Sequence, residues 1–393
     1  MDPVTHALSG ALAARAFLPQ EADARVTRTT RWVLILGAIF PDIDVVAKPF
    51  DPDNLATIRI HRSLTHSLVC LPVWAILFAL LAVWFCRRFK IPAPPWRTVA
   101  LAFGAGIGLH ILFDCITSFG TMVWSPISWT RVQWDWTFIV DLTLTGVLLF
   151  FLLLSWVAEG AQRRNARAAL MLVLMGALVA VFAVGSYTLA RPMPAPAAVA
   201  TLVFVALPLL ASLMGRPLRL PARSWCRLGV LATAAYLGMD AWAHHRALEL
   251  VQRYAAAENL EVLQTAAIPM PPNLAAWQGF ARTPNSVEEW TISLSGASSA
   301  PLARSVTPIA SGEPCPPVLW TIPQVRAWTH FARFPVVACS QSQGAQAAEF
   351  TDLRFRRPAM RWDEPGAAPP IPFTWRVTFD PEGRVTGEGW VIR

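Results

Sequence analysis

The chain has 393 residues, of which 54% are hydrophobic and 15% are charged, and its mean hydropathy is +0.43. Soluble domains carry about 25% charged residues, so this composition excludes an ordinary soluble globule and predicts a polytopic membrane protein. The net charge of +8 does not indicate nucleic acid binding, because the arginines cluster at alternate connections between apolar segments.

Two short apolar segments open the chain, at residues 4–17 and 32–41. Each would form about 20 Å of helix, which is short for a full membrane span. They predict a tilted or partly re-entrant hairpin that leads into the string PDID at residues 41–44.

Longer apolar segments follow, and they predict an all-α polytopic bundle of about six to seven spans beside the short N-terminal helices. The segments are residues 67–86, 98–114, 137–157, 168–190, 197–215 and 226–244.

The arginines orient these segments. Four clusters begin at Arg15, Arg87, Arg163 and Arg216, and the positive-inside rule places them in the cytoplasm. This topology is assigned from the arginines alone, without using any histidine or aspartate. It nevertheless places seven histidines and aspartates at one extracytoplasmic end of the bundle, which indicates a single site. These residues are His6, Asp42, Asp44, His61, His66, His110 and Asp114.

The last part of the chain differs in kind. From about residue 268 it is rich in Pro, Ser, Gly and Thr, with short alternating strings such as FTWRVTF at 373–379 and a turn, DPEG, after it. We expect a membrane core in residues 1–160, additional transmembrane helices in 161–250, and a small β-rich extracytoplasmic domain in 251–393. An oxidising compartment would permit a disulfide between Cys315 and Cys339.

The predicted site has the chemistry of a metal centre. His110 and Asp114 are four residues apart, so a helix presents them on one face. Ionisable groups at membrane depth are costly unless they are paired or bound to metal. Pro41 ends the preceding helix, which lets Asp42 and Asp44 approach one site from an extended turn.

Imidazole and carboxylate are the ligands of catalytic zinc and of manganese or iron centres. The expected cofactor is therefore a divalent metal, zinc first, with manganese or iron as alternatives. Seven ligands exceed one tetrahedral site, and two metal ions would suit phosphoester hydrolysis. Arg62 would hold an anionic phosphate.

Each motif also has a simpler interpretation. His6 would be an interfacial histidine, PDID a solvated turn with a helix cap, and HRSLTH a juxtamembrane segment whose Arg62 binds lipid headgroups. Asp135, Asp240 and His244 would line the cavity or reach the membrane interface.

Together these strings resemble the bacterial family of membrane-bound metal-dependent hydrolases, the YdjM-like family. The resemblance covers about residues 1–160 and rests on Thr5-His6, PDID, HRSLTHS at 61–67, and His110 followed by Asp114; DWTFIVD at 135–141 also looks like the family. It implies a hydrolase of the bacterial inner membrane whose histidines and aspartates bind the metal.

Three functions fit these observations. The first is an enzyme in which metal-activated water attacks a lipid or lipid-linked ester or phosphoester at the extracytoplasmic face, with Asp44, Arg62 and Asp141 as catalytic candidates. The second is a transporter or metal carrier, which is disfavoured because the cytoplasmic halves of the segments lack acids. The third is a non-enzymatic scaffold with a metal-stabilised membrane anchor. The expected partners are the lipid bilayer and a lipid substrate.

Overall fold

The computed structural model describes residues 1–51, 54–92, 94–159, 164–188, 220–270, 274–295, 301–342, 345–356 and 371–391. The chain divides into two compact units. The first comprises residues 1–43 and 62–240, and the second comprises residues 44–61 and 241–393.

The first unit consists mainly of helices, apart from an irregular segment at residues 116–141. A 3₁₀ segment (Phe40–Phe50) follows the second helix and contributes its first four residues to this unit, and a short 3₁₀ turn (Leu64–His66) precedes the fourth helix. In chain order the α-helices are α1 (Pro3–Phe17), α2 (Ala24–Ile39), α3 (Ala56–Arg59, in the second unit), α4 (Leu71–Arg88), α5 (Trp96–Cys115), α6 (Leu142–Ala158), α7 (Arg164–Thr188) and α8 (Ala222–Ala257), of which residues up to 240 lie in the first unit.

Polar caps fix where the first two helices begin. The Asp2 carboxylate accepts a hydrogen bond of 3.0 Å from the Thr5 backbone N–H, and Pro3 occupies the first helical turn, where its missing N–H costs nothing. Asp23 accepts from the Arg25 N–H at 2.7 Å in the same way. The two helices form a packed hairpin, so the start of α1 and the end of α2 lie at the same end of the unit.

Glycines allow α2 and α5 to pack closely. A Cβ atom at Gly37 would collide with the backbone of Phe103, and one at Gly106 would collide with the backbone of Leu34. Small residues at a helix interface let the two backbones approach, which is common in membrane bundles. This contact brings the C-terminal end of α2 against the part of α5 that carries His110.

The prediction of six to seven spans is wrong for the described residues. Only three of their helices are long and apolar enough to cross a membrane: Leu71–Arg88, Trp96–Cys115 and Asn165–Gly185. Helices α1, α2 and α6 have 15, 16 and 17 residues and are shorter than these three candidates. Helix α8 is long, but charged side chains such as Asp240, Arg246 and Glu249 interrupt it. The predicted span at 197–215 lies outside the described residues.

The second unit contains two β-sheets, which fits the predicted β-rich region. The first is an antiparallel meander of β1 (Gln264–Pro269), β2 (Ala276–Arg282), β3 (Ser286–Ser293) and β4 (Ala303–Pro308). The second has the order β5 (Ala310–Gly312), β6 (Pro335–Ser342), β7 (Ala345–Asp352), β8 (Trp375–Phe379) and β9 (Val385–Trp390), and helix α9 (Pro323–Phe331) precedes β6.

Large apolar side chains hold this unit together. Trp277 and Trp290 pack against Ala247 and Val251 of α8, whose small side chains admit the indole rings. Phe280 stacks on Phe334 at 4.9 Å between ring centroids. This core is consistent with a β-rich fold.

A disulfide joins Cys315 to Cys339, with Cα atoms 5.5 Å apart; this is the pair that the sequence offered as a candidate. The separation is typical of a disulfide. The proposed domain boundaries at 160 and 250 remain a prediction.

Candidate metal centre

Four side chains of the first unit converge on one point. They are Asp42, His66, His110 and Asp114, and each offers one ligand atom within 4.8 Å of the others. Three of the four are fully buried, and Asp42 is 19% exposed. Asp42 comes from the 3₁₀ segment after α2, His66 from the 3₁₀ turn before α4, and the other two from α5.

The spacing of the four atoms suits a small cation. The Nε2 atoms of His66 and His110 are 3.1 Å apart, and each lies 3.6 Å from Asp42 Oδ1. Asp114 Oδ2 lies 3.3 and 3.4 Å from these two nitrogens. A regular tetrahedron with edges of about 3.4 Å has its corners about 2.1 Å from the centre, which is the length of zinc bonds to His nitrogen and Asp oxygen.

The hydrogen bond at Nδ1 of His110 supports this fit. Its Nδ1 lies 2.7 Å from the carbonyl oxygen of Ala38, and a carbonyl can only accept, so Nδ1 carries the proton. In the neutral ring Nε2 then presents a lone pair to His66 and the two carboxylates. A hydrogen bond at the remote ring nitrogen is the usual way in which a metal-binding histidine is oriented.

His6 extends the cluster on the side of α1. Its Nε2 is 3.2 Å from Asp114 Oδ1, and its ring stacks on that of His110 with centroids 3.6 Å apart. Burial, followed by the neighbouring His110, lowers the pKa of His6 to about 3. His6 is therefore neutral at physiological pH and adds a polar nitrogen without adding charge.

Arg62 balances the charge of Asp114. Its side chain is 2% exposed, and Nη2 contacts Asp114 Oδ1 at 2.9 Å while Nη1 donates to Thr117 Oγ1 at 2.9 Å. The guanidinium also lies over the Phe119 ring, at 5.0 Å from its centroid. The α-amino group of Met1 contacts the same Asp114 oxygen.

The backbone at Arg62 is unusual. Its φ angle of 64° lies in the left-handed region, a conformation that costs a residue other than glycine about 1–3 kcal/mol. The carbonyl of Arg62 accepts from the Met122 N–H at 2.9 Å. This loop therefore holds Arg62 in a conformation that directs its guanidinium to Asp114.

The pKa of Asp42 follows from the same surroundings. Burial alone would raise it, but the hydrogen bond with His66 and the electrostatic effect of the His110 ring lower the pKa below its usual value. Asp42 is consequently a carboxylate, the form that binds metal, across the physiological range.

The remaining candidates lie in other contacts. His61 Nδ1 and Asp44 Oδ1 form a pair at 2.8 Å in the second unit. Asp141 caps α6, accepting from the N–H groups of Thr143 and Leu144 at 2.9 Å. Asp141 also accepts a hydrogen bond of 2.8 Å from the Tyr236 hydroxyl.

Asp135, Asp240 and His244, which the sequence suggested as cavity or interface residues, lie in separate surroundings. Asp240 is fully buried in α8, and neither of its oxygens has a hydrogen-bond partner among the described residues. His244 packs beside the Trp277 ring in the second unit. Asp135 is buried and has a positive φ of 57°.

Sequence reasoning missed the groups that orient the ligands. The Ala38 carbonyl leaves no trace in a side-chain pattern, although the glycines at 37 and 106 signal that α2 and α5 approach closely. Thr117 follows Asp114 by three residues, a spacing that could have identified it as a helix-end partner of the site.

The fold and site thus define a membrane protein with a buried His/Asp group able to hold a metal ion. Comparison with known proteins names the family. Residues 1–189 match the family model of the YdjM inner membrane protein, the family that the motifs predicted.

Curated proteins and solved structures add little about activity. The chain is 28% identical over 132 residues to YfhP of Bacillus subtilis (strain 168), an uncharacterized protein. The match covers 33% of this chain and 38% of YfhP, so it spans well under half of that relative. No solved structure matches the chain.

Proposed function

We propose that this protein is a metal-dependent hydrolase of the inner membrane, which cleaves a lipid or lipid-linked ester or phosphoester at the extracytoplasmic face. The observation that carries the proposal is the set of four donor atoms of Asp42, His66, His110 and Asp114, at separations that suit one divalent cation. The match of residues 1–189 to the YdjM inner membrane protein family and three candidate spans support the membrane setting.

A bound divalent cation would supply Lewis acidity and an activated water. The protein's own residues would then divide the remaining tasks. His66, His110 and Asp114 are buried and would hold the ion rigidly. Asp42, the ligand with some exposure, lies on the side from which water and substrate would enter.

Arg62 is best explained as a positioning residue. It holds Asp114 Oδ1, which leaves Asp114 Oδ2 directed at the two histidines. Asp44 and Asp141 stay candidates for the proton-transfer step, and the Asp44→Asn and Asp141→Asn variants would separate such a role from their observed contacts with His61 and with the start of α6.

One observation favours a second function. Four protein ligands fill a tetrahedral zinc site, and closed sites of this kind are structural, whereas catalytic zinc sites keep one position for water. A metal-stabilised membrane protein without turnover is therefore the alternative. It predicts that chelation unfolds the protein, whereas the hydrolase predicts that chelation stops turnover while most of the fold remains.

The test combines metal analysis with a hydrolysis screen. Purified protein is expected to contain about one or two divalent ions per chain and to release product from phospholipid vesicles or lipid-linked phosphoesters. His66→Ala should lose both metal and turnover, and His245→Ala, at a histidine 71% exposed, should keep both. Turnover that survives in metal-free protein, or in His66→Ala, would contradict the proposal.

A further inference from the structure

A second polar site lies in the first unit, at the other end of the α1–α2 hairpin. A pocket of about 630 Å³ is lined by the end of α1, the start of α2 and the end of α6. Arg15 is nine residues beyond His6, about 13 Å along the helix, so this pocket is separate from the metal centre.

Arginines dominate the polar lining of the pocket. Arg15, Arg28 and Arg31 line it together with two acids, Glu21 and Glu159. Arg15 pairs with Glu159 at 2.9 Å, which neutralises one acid. Three cations against two acids leave the lining positive.

Arg31 has unused hydrogen-bonding capacity. Its Nε atom is buried and has no hydrogen-bond partner within the described part of the chain. A buried donor without a partner costs free energy. Its orientation toward the pocket is explained if a ligand with acceptor oxygens supplies the missing bond.

Further positive charge lies at the same end of the unit. Arg223 of α8 donates to the carbonyl oxygens of Ala16 and Phe17, at 3.1 and 2.9 Å. Arg227 donates to Ala16 at 3.3 Å. Both guanidinium groups are held at the end of α1, where they add to the potential that attracts an anion.

An apolar groove adjoins this pocket. It has a volume of about 480 Å³, lies between α2 and α4, and shares Arg28 and Trp32 with the pocket. Its walls are aliphatic and aromatic side chains such as Leu36, Leu81 and Phe85. Helix α4 is one of the three candidate spans, so the groove follows a helix that is long and apolar enough to cross a membrane.

We propose that the pocket and the groove together bind one anionic phospholipid. The phosphate would lie among Arg15, Arg28 and Arg31, with Arg31 Nε donating to a phosphate oxygen, and an acyl chain would lie along the groove between α2 and α4. Guanidinium groups match phosphate geometry, and basic pockets between membrane helices bind anionic headgroups. The groove favours a lipid over a free phosphate, which would leave the apolar walls uncovered.

Native mass spectrometry of the purified full chain tests this proposal with phosphatidylglycerol and phosphatidylcholine of identical acyl chains. The wild type should retain phosphatidylglycerol at least about tenfold better, as expected for charge-assisted hydrogen bonds. Arg31→Gln should lose this preference. Arg25→Gln, at an exposed arginine of the same helix that does not line the pocket, should retain it.

Two further arms distinguish the sources of phosphate. Ala82→Trp, which fills the groove at a residue that lines it, should reduce retention of the lipid. Glycerophosphoglycerol, the headgroup without acyl chains, should compete weakly. Equal retention by Arg31→Gln, equal binding of phosphatidylcholine, or full competition by the free headgroup would overturn the proposal. If Arg31→Gln does not fold, Arg28→Gln at an exposed position carries the same test.

Discussion

Two buried aspartates of the first unit, Asp114 and Asp240, have opposite electrostatic surroundings. Asp114 is surrounded by Arg62, three histidines and an α-amino group. Asp240 lies in α8 without a hydrogen-bond partner for either oxygen among the described residues. Burial, followed by the nearby Asp141, raises the pKa of Asp240 to about 8.

The difference identifies which acid is built to bind a cation. A carboxylate that is kept ionised in a buried place needs opposite charge, and Asp114 has it together with donor atoms arranged for a metal. Asp240 instead keeps its proton at pH 7, because burial and the nearby Asp141 raise its pKa. Burial of an acid is therefore not enough to predict a metal ligand.

The largest expected effect comes from removing a ligand of the metal centre that contains Asp114. His110→Ala should weaken metal binding by more than about 100-fold, since loss of even a group that orients a ligand costs 10–100-fold. Asp240→Asn should leave metal content unchanged. Competition with a chelator of known affinity measures both, and loss of metal in Asp240→Asn would break the comparison.

The next effect concerns the charge balance of Asp114. Arg62→Gln leaves a buried carboxylate without its main cation, which should cost about 3–5 kcal/mol of unfolding free energy in chelated protein. The double variant Arg62→Gln/Asp114→Asn should recover much of the loss, because no charge then remains unpaired. Denaturant unfolding in micelles measures this, and an unchanged Arg62→Gln would show that Arg62 does not stabilise Asp114.

A smaller effect is the pH dependence caused by Asp240. Its pKa is about 8 in the folded protein and near 4 in the unfolded chain, so the folded state binds the extra proton between these values. Stability should therefore fall as pH rises from about 4 to 8, by at most about 1.4 kcal/mol per pH unit.

The Asp240→Asn variant tests that sign. It removes the titrating group, so the slope of stability against pH should flatten, with at most about 3 kcal/mol of difference accumulating between pH 5 and 7. Unfolding curves of both proteins at these two pH values provide the measurement. A slope that persists in Asp240→Asn would assign the pH dependence to other groups.

The smallest effect concerns Asp141. Its pKa is raised by burial, like that of Asp240, but its carboxylate accepts hydrogen bonds. The N–H groups of Leu144 and Thr143 and the Tyr236 hydroxyl oppose the rise. Asp141→Ala should cost about 1 kcal/mol through loss of the α6 cap, and Asp141→Asn should restore most of it. Equal losses in both variants would mean that the charge, not the cap, is what stabilises α6.

Much of the candidate site could be anticipated from the sequence. Two signals were direct, because polar ligands are rare in apolar segments. They are the i, i+4 spacing of His110 and Asp114 on an apolar helix and the second histidine of HRSLTH, His66. The pairing of Asp44 with His61 was not visible, since positions in a 3₁₀ segment and a loop have no period that fixes their direction. The Ala38 carbonyl was invisible for a different reason, because every residue carries one.

The fold was predicted only in part. Apolar runs at 142–158 and 226–244 have span-like composition, but length and interruption by charge decide whether a helix crosses a membrane. The β-rich region followed from alternating strings and turn residues. Its division into two sheets depends on long-range pairing, such as the parallel contact of Ala310 with Val337, which local patterns do not encode.

X-ray absorption at the metal edge tests the central claim most directly. The account predicts that purified protein, loaded with one equivalent of zinc, shows a first shell of about four nitrogen and oxygen atoms at about 2.1 Å, with the multiple-scattering signature of two imidazoles. Asp42→Asn should change the oxygen part of this shell and leave both imidazoles. A shell containing sulfur, or one without imidazole, would contradict the assignment of His66 and His110 as ligands.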